Sequence, residues 1–467
     1  MKLKIFNTET KEKEILASQN GKIRLYTCGP TIYDFAHIGN FRTYVFEDIL
    51  RRAIQFFGFE VEQAMNLTDV DDKTIRGAIK KGITLKEFTE PYRIAFFEDL
   101  KTLNIQKVEH YPAATDYIPD MIEIIETLLE KGCAYRSSNG SIYFSIQEFS
   151  TYGRLSRLNL IDLKPGASGE IEADEYDKEN VSDFVLWKAY DPARDGNICW
   201  ESPFGKGRPG WHIECSAMAM KILGETIDIH CGGVDNLFPH HENEIAQSEC
   251  CSGKRFARYW MHSEHLLVDH KKMSKSLGNF YTLRDLLKKG YTGFEVRYLL
   301  LSTHYRTQLN FTFDGLSAAR SSLQRIEDFI LRLKAITSTH NTDPSDLIKK
   351  ADHRFRSALA DDLNTSSALA ALFDLIREVN ALSDQEKIGK KDAEQVLELL
   401  ASWDQVLGVL PLQKTEEIPE ELLSFLEKRE KARRERNFKV SDEMRDAILE
   451  KGYLIEDTPN GARLKKQ

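Results

Sequence analysis

Between Lys22 and Met65 the apolar period of the chain changes twice, from about 2 residues to about 3.6 and back, and a glycine marks each change. Lys22-Ile23-Arg24-Leu25-Tyr26-Thr27-Cys28 alternates apolar and polar residues and stops at Gly29-Pro30, which predicts a strand ending in a turn. From Phe41 to Phe57 the residues Phe46, Ile49, Leu50, Ala53, Ile54 and Phe57 recur at three- and four-residue intervals. Gly58 closes the run, as it would close an amphipathic helix. Phe59-Glu60-Val61-Glu62-Gln63-Ala64-Met65 predicts a second strand. Two strands joined by a helix should pair in parallel, with the helix as their crossover. The chain is therefore expected to build an α/β sheet that takes ligands at the C-terminal ends of its strands. Those ends carry Cys28 and the run Asn66-Leu67-Thr68-Asp69-Val70-Asp71-Asp72-Lys73.

A chain of 467 residues exceeds one ordinary core, and two to four domains follow from a prior of roughly 100–200 residues each. The sheet domain is expected over residues 1–115 and again over 208–265, where Thr226-Ile227-Asp228-Ile229-His230 reads as a strand and residues 242–250 as a helix. Residues 116–207 read as an insertion. There the pattern loosens, and Gly and Pro cluster at Pro165-Gly166-Ala167-Ser168-Gly169 and around Pro203 to Gly210. A lysine-bearing loop region follows over 266–315. Residues 316–410 are rich in Leu, Ala, Glu, Lys and Arg at helical spacing, as in an antiparallel bundle. Beyond a linker from Pro411 to Pro419, a small charged module fills out 411–467.

No apolar run is long enough for a membrane span, and Met1 to Glu14 has neither the apolar region nor the cleavage site of a leader, so a cytoplasmic protein is expected. Seven cysteines without regular spacing suit thiols or metal ligands better than a disulfide framework. The net charge of −9 argues against nucleic-acid binding through overall charge and leaves only local basic faces for it.

Several residues could gather round a metal. His240 and Glu244 lie four apart in His240-His241-Glu242-Asn243-Glu244, on one face of a helix. Cys28 sits at a strand end and Cys215 follows Trp211-His212-Ile213-Glu214, so all four could converge at the ligand crevice. Two thiols, an imidazole and a carboxylate make a plausible zinc shell, with Cys231 as a rival ligand. Each residue also has a duller explanation as a buried small hydrophobe or a solvated helix face. A four-ligand shell is moreover the structural type, since catalytic zinc keeps an open position.

Two short motifs point to a nucleotide. His37-Ile38-Gly39-Asn40 stands between a strand end and a helix start, where backbone N–H groups favour phosphate and Gly39 permits close approach. Lys272-Met273-Ser274-Lys275-Ser276 sets two ammonium groups and two hydroxyls in one loop, suited to a leaving pyrophosphate. Alone, each reads equally as a helix entry or a solvated lysine run.

Together and in this order they resemble the HIGH and KMSKS signatures of the class I aminoacyl-tRNA synthetases. Within that class the chain resembles the cysteinyl-tRNA synthetase family, through Tyr26-Thr27-Cys28-Gly29-Pro30-Thr31, the run from Asn66 to Lys73, Arg208-Pro209-Gly210-Trp211-His212-Ile213-Glu214-Cys215-Ser216 and Phe238-Pro239-His240-His241-Glu242-Asn243-Glu244. The resemblance runs essentially end to end. It implies a doubly wound parallel-sheet (Rossmann-type) catalytic domain with an insertion, then an α-helical bundle and a small C-terminal anticodon-binding module, with residues 266–315 as the KMSKS loop and stem-contact region. It implies ATP, L-cysteine and tRNA(Cys) as partners, one Zn²⁺ per chain held by Cys28, Cys215, His240 and Glu244, Mg²⁺ accompanying ATP, and a monomer. His37, Lys272 and Lys275 would stabilise charge on the phosphates; Gly39, Asn40, Ser274 and Lys275 would bind ATP. Thr68, Trp211, His230 and Asp235 would line the amino-acid pocket.

The chain departs from the family at Asn40, where the motif has His, at Cys231, where the family has Gly, and in Ala462-Arg463-Leu464-Lys465-Lys466, which lacks the usual terminal Trp. Lys428-Arg429-Glu430-Lys431-Ala432-Arg433-Arg434-Glu435-Arg436 concentrates positive charge, as a phosphate-contacting helix or a solvated face would. Two other functions remain open: a cysteine ligase of small-thiol biosynthesis, which would lack residues 411–467, and a non-catalytic zinc-containing RNA-binding protein, which would need neither nucleotide motif.

Overall fold

The computed structural model describes residues 1–18, 20–157, 183–275, 277–339, 343–412, 419–458 and 461–466. Ser276, the Pro165–Gly169 cluster and most of the 411–419 linker lie outside the described residues. The chain divides into two units, Met1–Leu410 and Pro411–Gln467.

The first unit is organised by β1 (Lys22–Thr27), α1 (Ile38–Phe56) and β2 (Glu60–Met65), followed by α2 (Trp211–Leu223), β3 (Ile227–Gly233), α3 (Glu242–Ser252) and β4 (Ala257–Ser263). The four strands form one parallel sheet in the order β4-β3-β1-β2. The chain adds β2 on one side of β1, then crosses over to build β3 and β4 on the other. The winding therefore reverses between β1 and β3, where a crevice opens beyond the strand ends. The register pairs Tyr26 with His230 and Thr27 with Cys231, so Cys28 and the end of β3 meet at that switch point.

Helix α1 begins with a capping box: the Asn40 N–H donates to His37 Nδ1 (3.1 Å) and the His37 N–H donates to Asn40 Oδ1 (3.0 Å). It ends where Gly58, at φ 90°, turns the chain into β2. The amphipathic reading of this helix is incomplete, because its polar face is buried too. Helices Gly293–Ser302 and Lys390–Leu407 cover that face, and three of its charges are paired: Asp48 accepts from Arg52 Nε (2.7 Å) and faces Arg297 Nη2 (2.6 Å), while Arg51 meets Glu109 (2.7 Å); Arg42 donates to main-chain carbonyls instead, and burial pushes the Glu47 carboxyl well up. Breaking the buried Asp48–Arg297 pair costs about 3–5 kcal/mol, so helix Gly293–Ser302 is tied to α1 by charge as well as packing.

The inserted segment contributes helix Ile118–Glu130 and a four-stranded antiparallel sheet, Ala134–Arg136, Ile142–Phe144, Phe184–Ala189 and Gly207–Pro209. Its Met121, Phe144 and Trp187 share one hydrophobic core with Cys215, Ile227 and Trp260 of the parallel-sheet layer. Helices Phe313–Lys334, Ser345–Ala360, Thr365–Asp384 and Lys390–Leu407 complete the first unit. In the second unit, helices Glu420–Arg434 and Phe438–Glu450 pack on the hairpin Tyr453–Thr458 and Gly461–Lys466 through buried Leu422, Ile448 and Leu464. Lys428, Lys431, Arg433, Arg434 and Arg436 are exposed there, whereas Arg429 is buried. Among the described residues no helix is long and apolar enough to cross a membrane.

Candidate active site

Two clusters occupy the switch point. The deeper one contains Cys28, Cys215, His240 and Glu244, all buried, whose donor atoms lie within 4.8 Å of one another. Cys28 reaches it from the end of β1, Cys215 from the second turn of α2, and Glu244 from the first turn of α3. The segment Leu237–His241 leads into α3 through a kink at Phe238, whose backbone is extended (φ −139°, ψ 133°), and His240 and His241 are both buried beyond it.

His241 is the residue that sequence reasoning passed over. Its Nε2 lies 3.3 Å from Cys28 Sγ and its Nδ1 2.8 Å from His262 Nε2; His262 in turn bonds Thr8 Oγ1 (2.8 Å). Cys28, His230, His241 and Glu244 form a second group with donor atoms equally close, sharing two members with the first. Its only sequence signal was adjacency to His240. Cys231, the rival ligand, belongs to neither group. Successive strand residues face opposite sides of a sheet, and with His230 at the cluster Cys231 is turned away.

The electrostatics suit a cation. Against its burial, the charges of His230 and His240 hold Glu244 down to about 2, through Oε2 to His230 Nε2 (2.8 Å) and Oε1 to His240 Nε2 (3.0 Å). A hydrogen bond from Cys28 pulls the Cys215 thiol down to about 6 despite its burial, while burial pushes Cys28 well up. Glu244 and Cys215 keep His240 at about 10, although burial works the other way. Two thiols, an imidazole and a carboxylate packed this closely match the donor set and compactness of a tetrahedral zinc site.

Flanking this cluster, Trp211 stacks on His240 (ring centroids 4.3 Å, 24°) yet remains 43% exposed, while His230 stacks on Trp260 (4.6 Å). Thr68 is buried and accepts from Asn66 Nδ2 (3.1 Å); Asp235 is exposed on the turn after β3. Of the four expected pocket residues, Trp211 and His230 touch the cluster directly, through His240 and Glu244.

The second cluster joins the two nucleotide motifs. His37 lies opposite Thr282 in an isolated antiparallel bridge, and the Ile38 N–H donates to Tyr281 O (3.0 Å), which brings the segment after the lysine loop onto the helix start. A side chain at Gly39 would meet the His37 ring at 2.9 Å and the Met273 methyl at 3.1 Å. Because His37 Nδ1 accepts from Asn40, its proton sits on Nε2. Burial lowers its pKa to about 4, so it acts as a neutral N–H donor near pH 7. Asn40 completes the cap instead of supplying an imidazole to the nucleotide. Ser274 N–H donates to Asn279 Oδ1 (2.8 Å), Asn279 Nδ2 donates to Lys272 O (3.1 Å), and Lys272 ends a short hairpin with Leu266–Val268.

Residues 14–321 match the family model described as tRNA synthetases class I (C) catalytic domain, and the doubly wound sheet with its crevice at the β1/β3 reversal is the architecture that such a domain has: this is a class I tRNA synthetase. Residues 354–411 match the DALR domain, which falls on the last helices of the bundle. The fold is shared at low identity with methionyl-tRNA synthetase of Mycobacterium tuberculosis in complex with methionyl-adenylate (TM-score 0.57, 13% identity, 83% of this chain and 88% of that one). A putative arginyl-tRNA synthetase from Campylobacter jejuni is similar too (0.55, 14%, 85% and 94%). Closer relatives are the cysteine–tRNA ligases of Protochlamydia amoebophila, 64% identical over 100% of this chain and 98% of that one, and Chlamydia felis, 56% identical over 99% and 98%. The chain belongs to the cysteine–tRNA ligase family.

Proposed function

We propose that this enzyme activates L-cysteine with ATP to cysteinyl-adenylate and pyrophosphate, then transfers the cysteinyl group to the 3′ end of tRNA(Cys). The observation that carries the reading is the sharing of one switch point by a thiol-rich cluster and the joined His37 and Lys275 motifs. The substrate carboxylate attacks the α-phosphorus, so the chain needs no nucleophile of its own and works by positioning and charge stabilisation. His37 offers an Nε2–H to the phosphates, Gly39 and Asn40 shape the helix start against them, and Ser274, Lys272 and Lys275 receive the departing pyrophosphate. Thr68, Trp211, His230 and Asp235 enclose the amino acid. Zn²⁺ held by Cys28, Cys215, His240 and Glu244 would take the substrate thiolate and so separate cysteine from serine, with Mg²⁺ accompanying ATP. The protein acts as a cytoplasmic monomer.

Lys275→Ala is expected to lower cysteine-dependent ATP–pyrophosphate exchange by about 10²-fold while tRNA binding stays. Unchanged exchange would remove the lysine loop from the chemistry. Run against all twenty amino acids, with and without a zinc chelator, the same assay should respond to cysteine alone and fall when metal is removed.

Residues 411–467 form the anticodon-binding module in this reading, with the exposed basic residues of helix Glu420–Arg434 on tRNA phosphates. The presence of this unit favours a tRNA ligase over a small-thiol ligase. A chain ending at Leu410 should keep adenylate formation and lose about 10²-fold in charging tRNA(Cys). Undiminished charging by that fragment would assign tRNA recognition to the bundle.

A further inference from the structure

The lysine loop is already engaged. Lys275 Nζ is ion-paired with Asp34, in the turn between β1 and α1, and lies 5.1 Å over the Phe280 ring. Phe280 stands edge-on to His37 (5.2 Å), and both Asp34 and Lys275 act on the charge of His37. The pair therefore sits beside the proposed phosphate site. It is also wet: the Lys275 side chain is 65% exposed and that of Asp34 34%.

We propose that Asp34 is a positioning residue that takes the place of a nucleotide phosphate at Lys275. Its carboxylate holds the loop over the His37–Asn40 turn, and the ammonium changes partner when the triphosphate enters. An exposed carboxylate–ammonium pair is weak and screened by water, whereas a triphosphate brings several negative charges. The exchange therefore runs toward the nucleotide. Asp34 is left behind as a like charge near the phosphates and opposes ATP in the ground state. This inference rests on the ATP-dependent reading above.

The test is amide hydrogen exchange over the loop of the full chain, followed at Ser274 and Gly278, whose N–H groups donate to Asn279 Oδ1 and Lys275 O. Without nucleotide, Asp34→Asn should accelerate exchange about threefold, the worth of an exposed pair, and ATP with Mg²⁺ should return it to the wild-type rate. In cysteine-dependent pyrophosphate exchange the KM for ATP should fall by about threefold with kcat little changed, because a ground-state competitor is lost. The double exchange Asp34→Lys with Lys275→Asp should restore loop protection without restoring activity. Should Asp34→Asn not fold, the wild-type loop without nucleotide must exchange faster as salt rises from about 0.05 M to about 0.5 M.

Unchanged exchange in the nucleotide-free variant, or in salt, overturns the proposal. So does a fall in kcat at constant KM, which would place Asp34 in the transition state. Amide exchange needs no turnover, so the two readings fail separately. A wild-type chain without cysteine-dependent activity, but with a loop that answers to Asp34 and ATP, would refute the function and leave the latch.

Discussion

Cys215→Ala is expected to empty the chain of metal, from about one ion to nearly none by elemental analysis, and to lower cysteine-dependent pyrophosphate exchange by about 10²–10³-fold. Cys215 is 1% exposed, and it is the thiol drawn down to about 6 by its neighbour, so it is the cluster thiol that ionises most readily onto a metal. Without it, His240 loses one of the two negative partners that hold its charge, and Glu244 is left to balance His240 and His230 alone. The group left behind is Cys28, His230, His241 and Glu244. That alternative makes the experiment decisive. If Cys215→Ala keeps its metal while His241→Ala loses it, the ion belongs to the second group and the Cys215 assignment falls.

Gly29→Ala should disturb the same site through the backbone. An added Cβ would lie 1.9 Å from Asn66 O and 3.0 Å from both Asn66 C and Met65 Cγ. The obstacle is main chain, and it is pinned: Leu67 N–H donates to Pro112 O (2.8 Å), Thr68 N–H to Pro30 O (3.0 Å), and Gly29 N–H to Asn66 Oδ1 (2.9 Å). Relief must come from moving the end of β1, and Cys28 is the adjoining residue. A loss of about 3 kcal/mol in stability is expected from overpacking of this kind, together with weakened metal retention. Denaturant unfolding and metal content report the two effects independently. A variant with wild-type values in both would mean that the strand ends can separate without cost.

Much of the fold was legible because its signals are local. The alternation from Lys22, the helical spacing to Phe57 and the glycine at 58 mark β1, α1 and β2 to within a few residues, and the period around Thr226 marks β3. The buried polar face of α1 was not legible. Arg42, Asp48, Arg51 and Arg52 look like a solvent face in sequence, and only partners such as Arg297 and Glu109, brought from far along the chain, convert them to core. Asn40 likewise read as a missing imidazole. The capping box gives it a local function that the motif alone did not reveal.

The sequence by itself determined the parallel α/β class and the residue types able to hold a metal and grip a phosphate, because periodicity, turn residues and side-chain chemistry are properties of short segments. Resemblance added which of those residues to single out. Tertiary structure decided which donors actually meet. It brought Cys28 and Cys215 together across nearly two hundred residues, turned Cys231 away and added His241 beside the kinked entry to α3. It also paired Lys275 with Asp34. Strand pleating, the kink at Phe238 before α3 and the reversal of winding between β1 and β3 fix side-chain direction, and direction is a property of the folded chain.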